Sequence, residues 1–400
     1  MQFPSRHPGG RAGARDRFRR LFRRLAPGAR RGTCRERVRR PHALGHRGHG
    51  AGAALRAERL HGIRRVSERA GGREAHLLAH RLKTGILLLN LGGPDRLESV
   101  RPFLLRLFKD REIIRLPGGR IGQAIIGRMI AYGRTKEVQE NYRKIGGGSP
   151  IVAWSTLQGR GLADRLRARG HDVEYALAMR YWNPTTDDAL QELEGKRVDR
   201  LLALTLYPHY SVASTGSSVG ELHRAMKRRG TKLPLDIIDR WYDHPGYVEA
   251  LVQRTRAALA GFPRGARPTI LVSAHGLPKH FIDSGDLYCD HIEATMKAVL
   301  ARFPEHPHVL AYQSRVGPVP WIGPSTDQVI DRLAEAGVKD VLVIPISFVS
   351  DHVETLYEVD LLYGDRARAR GISNFRRIDS LNDFPPFLDA LADLVEPRLA

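Results

Sequence analysis

The chain has 400 residues, 42% of them hydrophobic and 27% charged, enough length for two or three domain-sized units. Its two cysteines exclude a disulfide framework and a four-cysteine zinc or iron–sulfur site, and no run of 18 apolar residues is present to form a spanning helix. The formal net charge of +22 suggests a nucleic-acid partner only until it is located: residues 1–82 hold 22 Arg, no Lys and 5 acids, or +17, and residues 83–400 carry +5.

Residues 1–82 also carry 12 Gly and 7 His with few aliphatic runs. Such a segment buries too little apolar surface to offset its ordering entropy, so we read it as mostly disordered, with a marginal helix at 17–25. Three readings compete: upstream sequence translated from a wrong start, a targeting segment, or an Arg-rich arm for RNA or a membrane surface. Arg without a single Lys favours the first.

From residue 83 onward, short β-rich runs alternate with helical patterns. The first predicted strand, 85–91, ends in Asn90-Leu91-Gly92-Gly93-Pro94. This Gly pair permits a tight turn and close approach of a ligand, but it is not G-x-G-x-x-G. A helix is predicted over 97–109. The stretch 120–131, apolar at 121, 125, 126, 129 and 130, fits a lip over an apolar ligand, a membrane-surface contact or a buried helix face. Periodicity by itself favours the buried face. A helix over 135–144 leads to the triple-Gly loop 146–148, flanked by basic groups that suit a carboxylate or phosphate, or serving as a linker.

Further on, the predicted strands are 173–179, 200–206, 235–239, 268–273, 308–312 and 340–348. The predicted helices are 153–169, 216–229, 246–260, 288–302, 325–336, 353–369 and 384–398. Several strands are near-continuous hydrophobic runs, as parallel strands buried on both faces are. The alternation predicts right-handed βαβ units and an α/β, doubly wound fold with parallel sheets, in two similar lobes. We divide the chain into 1–82, 83–240 and 241–400. Ligands in such folds bind outside the carboxyl ends of strands.

Two strand ends carry the strongest chemical signals. Ser273-Ala274-His275-Gly276-Leu277-Pro278 delivers an imidazole to a strand tip, where it can accept a proton or ligate a metal, or simply face solvent. After the most apolar strand comes Ser350-Asp351-His352-Val353-Glu354, with Glu358 one turn on. Asp351 and Glu354 read as a capping box. Equally, Asp351, Glu354 and Glu358 on one helix face would repel one another and attract a loosely held divalent cation.

Taken together, seven segments resemble the ferrochelatase family, enzymes that insert ferrous iron into a porphyrin to make haem. In order they are LNLGGP (89–94), YRKIGGGSP (142–150), MRYWNP (179–184), LYPHYSVASTGSS (206–218), SAHGLP (273–278), YQSRVGPVPWIGP (312–324) and SFVSDHVETLYEVD (347–360). The resemblance implies two Rossmann-like lobes with a porphyrin cleft between them. It implies that His275 and Glu354 face each other across the macrocycle, hold or receive the iron and take the pyrrole protons. His352, Asp351 and Glu358 match an acidic metal path. Tyr142, Arg134 and Ser149 match positions near the porphyrin and its propionates, whereas Tyr181, Trp321, Leu91 and the 120–131 lip match its apolar surroundings. Iron is then substrate, with no tightly bound cofactor and no iron–sulfur cluster. Position 362 is Leu where some members carry a further acid.

The lip and the SAHG motif (273–276) resemble the protoporphyrin-using branch of the family, which implies protoporphyrin rather than coproporphyrin III. Another tetrapyrrole chelatase and a non-enzymatic haem or porphyrin carrier are the alternatives. The expected setting is a bacterial cytoplasm, with peripheral membrane contact through 120–131 and no nucleic-acid partner.

Overall fold

The computed structural model describes residues 82–114, 116–317 and 319–399, so the Arg-rich segment and its marginal helix lie outside the described residues. Two four-stranded parallel sheets of the same topology follow one another along the chain. The first contains β1 (Thr84–Asn90), β2 (Val173–Met179), β3 (Arg200–Thr205) and β4 (Leu235–Ile238), in the order β2-β1-β3-β4. The second contains β5 (Thr269–His275), β6 (His308–Gln313), β7 (Asp340–Pro345) and β8 (Asn374–Arg377), in the order β6-β5-β7-β8.

The helices are α1 (Val100–Lys109), α2 (Gly119–Arg143), α3 (Ile151–Ala168), α4 (Thr186–Gly195), α5 (Ser217–Arg229), α6 (Pro245–Ala260), α7 (Lys279–Asp283), α8 (Tyr288–Leu300), α9 (Thr326–Glu335), α10 (Gly364–Ala369) and α11 (Pro385–Val395). π-Helical segments cover Val212–Gly216 and Glu354–Tyr363.

The hydrophobic runs become strands because both faces are covered. All seven residues of β1 are buried, with Ile86 and Leu88 in one apolar cluster and Leu87 and Leu89 in another. In β5, Ile270, Val272 and Ala274 join the same cluster as Ile86 and Leu88, so one continuous core runs between the sheets. The C-terminal helix α11 packs on both α6 and α3. Arg165 pairs with Asp389, and Arg169 with Asp393 and Glu396, along that contact. The buried Gln158 of α3 donates to Ser350 Oγ and Asn382 O, each at 2.9 Å.

Helix α3 lies so close to its sheet that a Cβ at Gly159 would sit 2.5 Å from the Tyr175 ring and 2.6 Å from Leu88 Cδ1. Overpacking of this kind costs about 1–3 kcal/mol. Gly159→Leu is expected to lower Tm by several degrees in a thermal unfolding scan; an unchanged Tm would contradict this packing.

The structure departs from the sequence reading at four places. The strand β8 and the helix α4 were not anticipated, nor was the short helix α7. β8 reads NFRR on a sheet edge, half-buried and without an apolar run. α4 carried a readable signal, the capping box of Thr185 with Asp188.

The fourth departure concerns the lip. It and the predicted 135–144 helix form one helix, α2, and most of the expected buried apolar face turns outward, with only Ile126 and Ile130 half-buried. Ile121, Ile125, Met129 and Tyr132 are 76%, 58%, 68% and 68% exposed, whereas Gln123, Gly127 and Ala131 are buried. Small and polar residues face inward because α2 rests on main chain. A Cβ at Gly127 would meet Phe108 O at 2.9 Å, and Gln123 Nε2 donates to Phe108 O and Ile114 O.

Candidate active site

Strand order 2-1-3 places the topological switch beside the central strand of each sheet, β1 and β5. β5 is buried from Thr269 to Ala274 and emerges at His275, which is half-buried. The next residue must be Gly: a Cβ on Gly276 would lie 2.7 Å from Gln313 O and 3.3 Å from the Trp321 ring. A closed hydrogen-bond ring holds the His275 backbone. Its N–H donates to Ser347 Oγ at 3.1 Å, its carbonyl accepts from the Tyr288 hydroxyl at 3.0 Å, and Tyr288 and Ser347 bond each other at 2.6 Å.

The His275 side chain donates through Nδ1 to Glu354 Oε2 at 2.7 Å. Ser314 Oγ lies 3.1 Å from the same carboxylate oxygen and 2.5 Å from Glu358 Oε2, its single hydroxyl hydrogen shared between the two carboxyl groups. Gln313 Nε2 donates to Glu358 Oε2 and to the Glu354 carbonyl, both at 3.1 Å, and its own oxygen accepts from Ser273 Oγ. Ser314 holds φ at 66°, a left-handed conformation uncommon outside glycine. His352 Nε2 lies 4.0 Å from Glu354 Oε1, its Nδ1 bonds the Ser350 carbonyl, and its ring packs on Phe348.

These contacts separate the titrating groups. Burial disfavours the Glu354 carboxylate, but the charge and hydrogen bond of His275 outweigh it and hold the carboxyl at about 2. Burial and the neighbouring Glu354 charge push Glu358 up to about 7. His275 is lowered by burial but raised more by Glu354, and ends above its ordinary value. Burial keeps His352 below its ordinary value. The cluster thus joins an ionised carboxylate, a carboxyl that titrates near neutral pH and an imidazole, an arrangement suited to moving protons and handling a cation.

Not every expected residue joins it. The capping box at Asp351 does not form: the π-helical segment starts at Glu354 behind Val353, with no side-chain cap. Asp351 Oδ1 accepts from Thr355 and Ser380, Asp351 Oδ2 accepts from Asn382, and Arg377 pairs with the carboxylate at 3.1 Å. Arg377 therefore holds the Asp351 carboxyl below its ordinary range despite burial. Glu354 and Glu358 converge on Ser314 without it.

Tyr142 ends α2, is 3% exposed and feels the Glu354 charge, which together with burial raises its phenol. Arg134 is half-buried two turns earlier on α2. Ser149 donates its N–H to Pro94 O at 2.7 Å, and a Cβ on Gly93 would come within 2.6 Å of it. The Gly-Gly-Pro turn thus accommodates the chain's own loop. Leu91, half-buried beside that turn, accepts the Tyr181 N–H.

Tyr181 is 1% exposed, with its hydroxyl donated to Asp110 at 2.6 Å. Trp321 is half-buried over Gly276 and donates Nε1 to Val316 O. Gln313, Ser314, Tyr288 and Ser347 were not singled out from the sequence. Gln313, Ser314 and Ser347 lie within motifs quoted above, and Tyr288 carries no local signal.

A sequence model of ferrochelatases matches residues 83–399, the whole of the two-sheet body. The chain belongs to the ferrochelatase family. A ferrochelatase of a Geobacter species is 48% identical over 314 residues, covering 78% of this chain and 98% of that protein. That of Geotalea uraniireducens is 46% identical over 318 residues, covering 80% and 98%. That of a Synechocystis species is 44% identical over 321 residues, covering 79% and 83%.

As a ferrochelatase-family enzyme the chain inserts iron into a porphyrin for haem synthesis, so iron is substrate here. No described helix is long and apolar enough to cross a membrane.

Proposed function

We propose that the porphyrin is protoporphyrin IX and that His275 and Glu354 perform the insertion. Iron insertion releases two pyrrole protons as Fe²⁺ takes their place. The 2.7 Å contact between an imidazole and a carboxylate at the carboxyl end of β5 is the observation that carries this reading. One group accepts protons while the other guides the metal. A flat macrocycle enters between them once that bond opens, because each face needs about 3.5 Å of van der Waals clearance.

His352 and Glu358 extend the metal path, and Asp351 supports it from behind. Tyr142, Arg134 and Ser149 face the porphyrin and its propionates, with Leu91 and Trp321 as neighbouring apolar surface and Tyr181 holding the end of β2. Binding energy spent on bending the macrocycle would expose its nitrogen lone pairs.

The test is anaerobic incubation of the full chain with Fe²⁺ and either protoporphyrin IX or coproporphyrin III, following the product by absorbance. We expect kcat/KM to favour protoporphyrin by at least about tenfold, with no other additive required. A preference for coproporphyrin would overturn the substrate assignment. Tight binding without insertion would indicate a carrier, and a required cofactor would contradict the cofactor-free reading.

The exposed stripe Ile121, Ile125, Met129 and Tyr132 supports peripheral contact with the cytoplasmic face of a membrane. Arg120 and Arg128 are exposed beside it, and Arg101 lies over the Tyr132 ring at 5.0 Å. Ile125→Glu combined with Met129→Glu is expected to abolish co-sedimentation with anionic vesicles. Retained sedimentation would remove the stripe from that role.

A further inference from the structure

Arg377 closes β8 and is paired with Val343 of β7. Its guanidinium, 10% exposed, grips Asp360 with two parallel bonds, Nε to Oδ1 at 2.8 Å and Nη2 to Oδ2 at 2.9 Å. Its Nη1 reaches Asp351 Oδ1 at 3.1 Å, Ser380 Oγ at 3.1 Å and the Ile378 carbonyl at 3.0 Å. Asp351 precedes the π-helical segment and Asp360 lies within it. Glu354 and Glu358 fall between these two anchors.

The segment Glu354–Tyr363 is ten residues of π-helix, ETLYEVDLLY, with no Gly or Pro in it. π-Helix is rare and mostly limited to single-turn bulges, so a run of this length needs tertiary support. The wider π turn sets the angle between residues four apart. In an α-helix Glu354 and Glu358 would still share a face, but the tighter turn would change their offset from each other and from Ser314 Oγ while Glu354 stays on His275.

We infer that Arg377 is a positioning residue for metal insertion: by tying Asp351 and Asp360 to the second sheet, it holds the π-helical turn that aims Glu354 and Glu358 at the β5 and β6 tips. A planar bidentate fork suits this task and a lysine point charge does not. The inference rests on Glu354 being a reacting group, as proposed above.

The test compares Arg377→Lys, Asp360→Asn and Glu354→Gln in the full chain, with Tm, porphyrin affinity by fluorescence quenching, kcat and KM for each substrate. Asp360 is 36% exposed, so its amide variant removes one anchor without stranding a buried charge. Misplaced reacting groups commonly cost large rate factors. We expect Arg377→Lys and Asp360→Asn to lower kcat at least about tenfold while porphyrin affinity and porphyrin KM stay within about twofold.

If Arg377→Lys fails to fold, Asp360→Asn decides. A folded variant with kcat within about twofold of the parent, beside an inactive Glu354→Gln, would overturn the role of Arg377 alone. An active Glu354→Gln would instead overturn the site assignment beneath it.

Discussion

Replacing His275 with Ala is expected to lower the rate of iron insertion by about 10²- to 10⁴-fold, the range a positioned acid–base group contributes. Porphyrin should still bind. The backbone at 275 is held by Ser347 and Tyr288 through main-chain atoms, which the substitution leaves in place. The change does strand the Glu354 carboxylate, which loses its nearest cationic partner. Thermal unfolding of the variant must therefore accompany the assay. A folded variant that makes haem within about tenfold of the parent rate would remove His275 from the chemistry.

Glu354→Gln carries the second large effect and a distinct pH signature. His275 accepts a proton only when neutral, and the Glu354 charge raises its pKa above the ordinary 6.5. Activity of the parent should therefore climb as pH rises through that elevated value. With glutamine at 354 the burial effect prevails, so the acid limb of the pH–rate profile should move to lower pH as the maximal rate falls. An unmoved limb would mean that another group controls it.

Stability gives an independent check. The raised His275 contributes stability that is fully present below its unfolded value near 6.5 and is lost as pH rises through the folded value. The lowered Glu354 contributes stability present above its ordinary 4.5 and lost as pH falls towards about 2. Both contributions overlap from roughly pH 4.5 to 6.5. The Tm difference between parent and Glu354→Gln should be largest in that window; a difference independent of pH would deny the coupling.

Much of this architecture was legible in local pattern. Continuous runs such as Ile86–Leu87–Leu88–Leu89 and Val341–Leu342–Val343–Ile344 mark strands covered on both faces, because alternating side chains then all enter apolar layers. The placement of His275 at a strand end followed from the same reading, since the chain turns where Gly276 and Pro278 stand. β8 was not legible because its residues satisfy a sheet edge rather than a core. The buried face that periodicity favoured for 120–131 did not form, because periodicity reports which residues share a helix face, while contact with the main chain at Phe108 and Ile114 decides which face turns inward.

The sequence by itself determined the α/β class, the paired parallel sheets, the family and the residue types at the site. Each of these depends on neighbours within one strand, one turn or one motif. Only the tertiary structure decided that Glu354 contacts His275, that Ser314 joins Glu354 to Glu358, and that Asp351 is engaged by Arg377. It alone decided that residues 354–363 wind as π-helix. Those outcomes depend on hydrogen bonds between segments that meet only after both sheets have formed, where burial makes each unpaired charge costly and so selects the partner it must find.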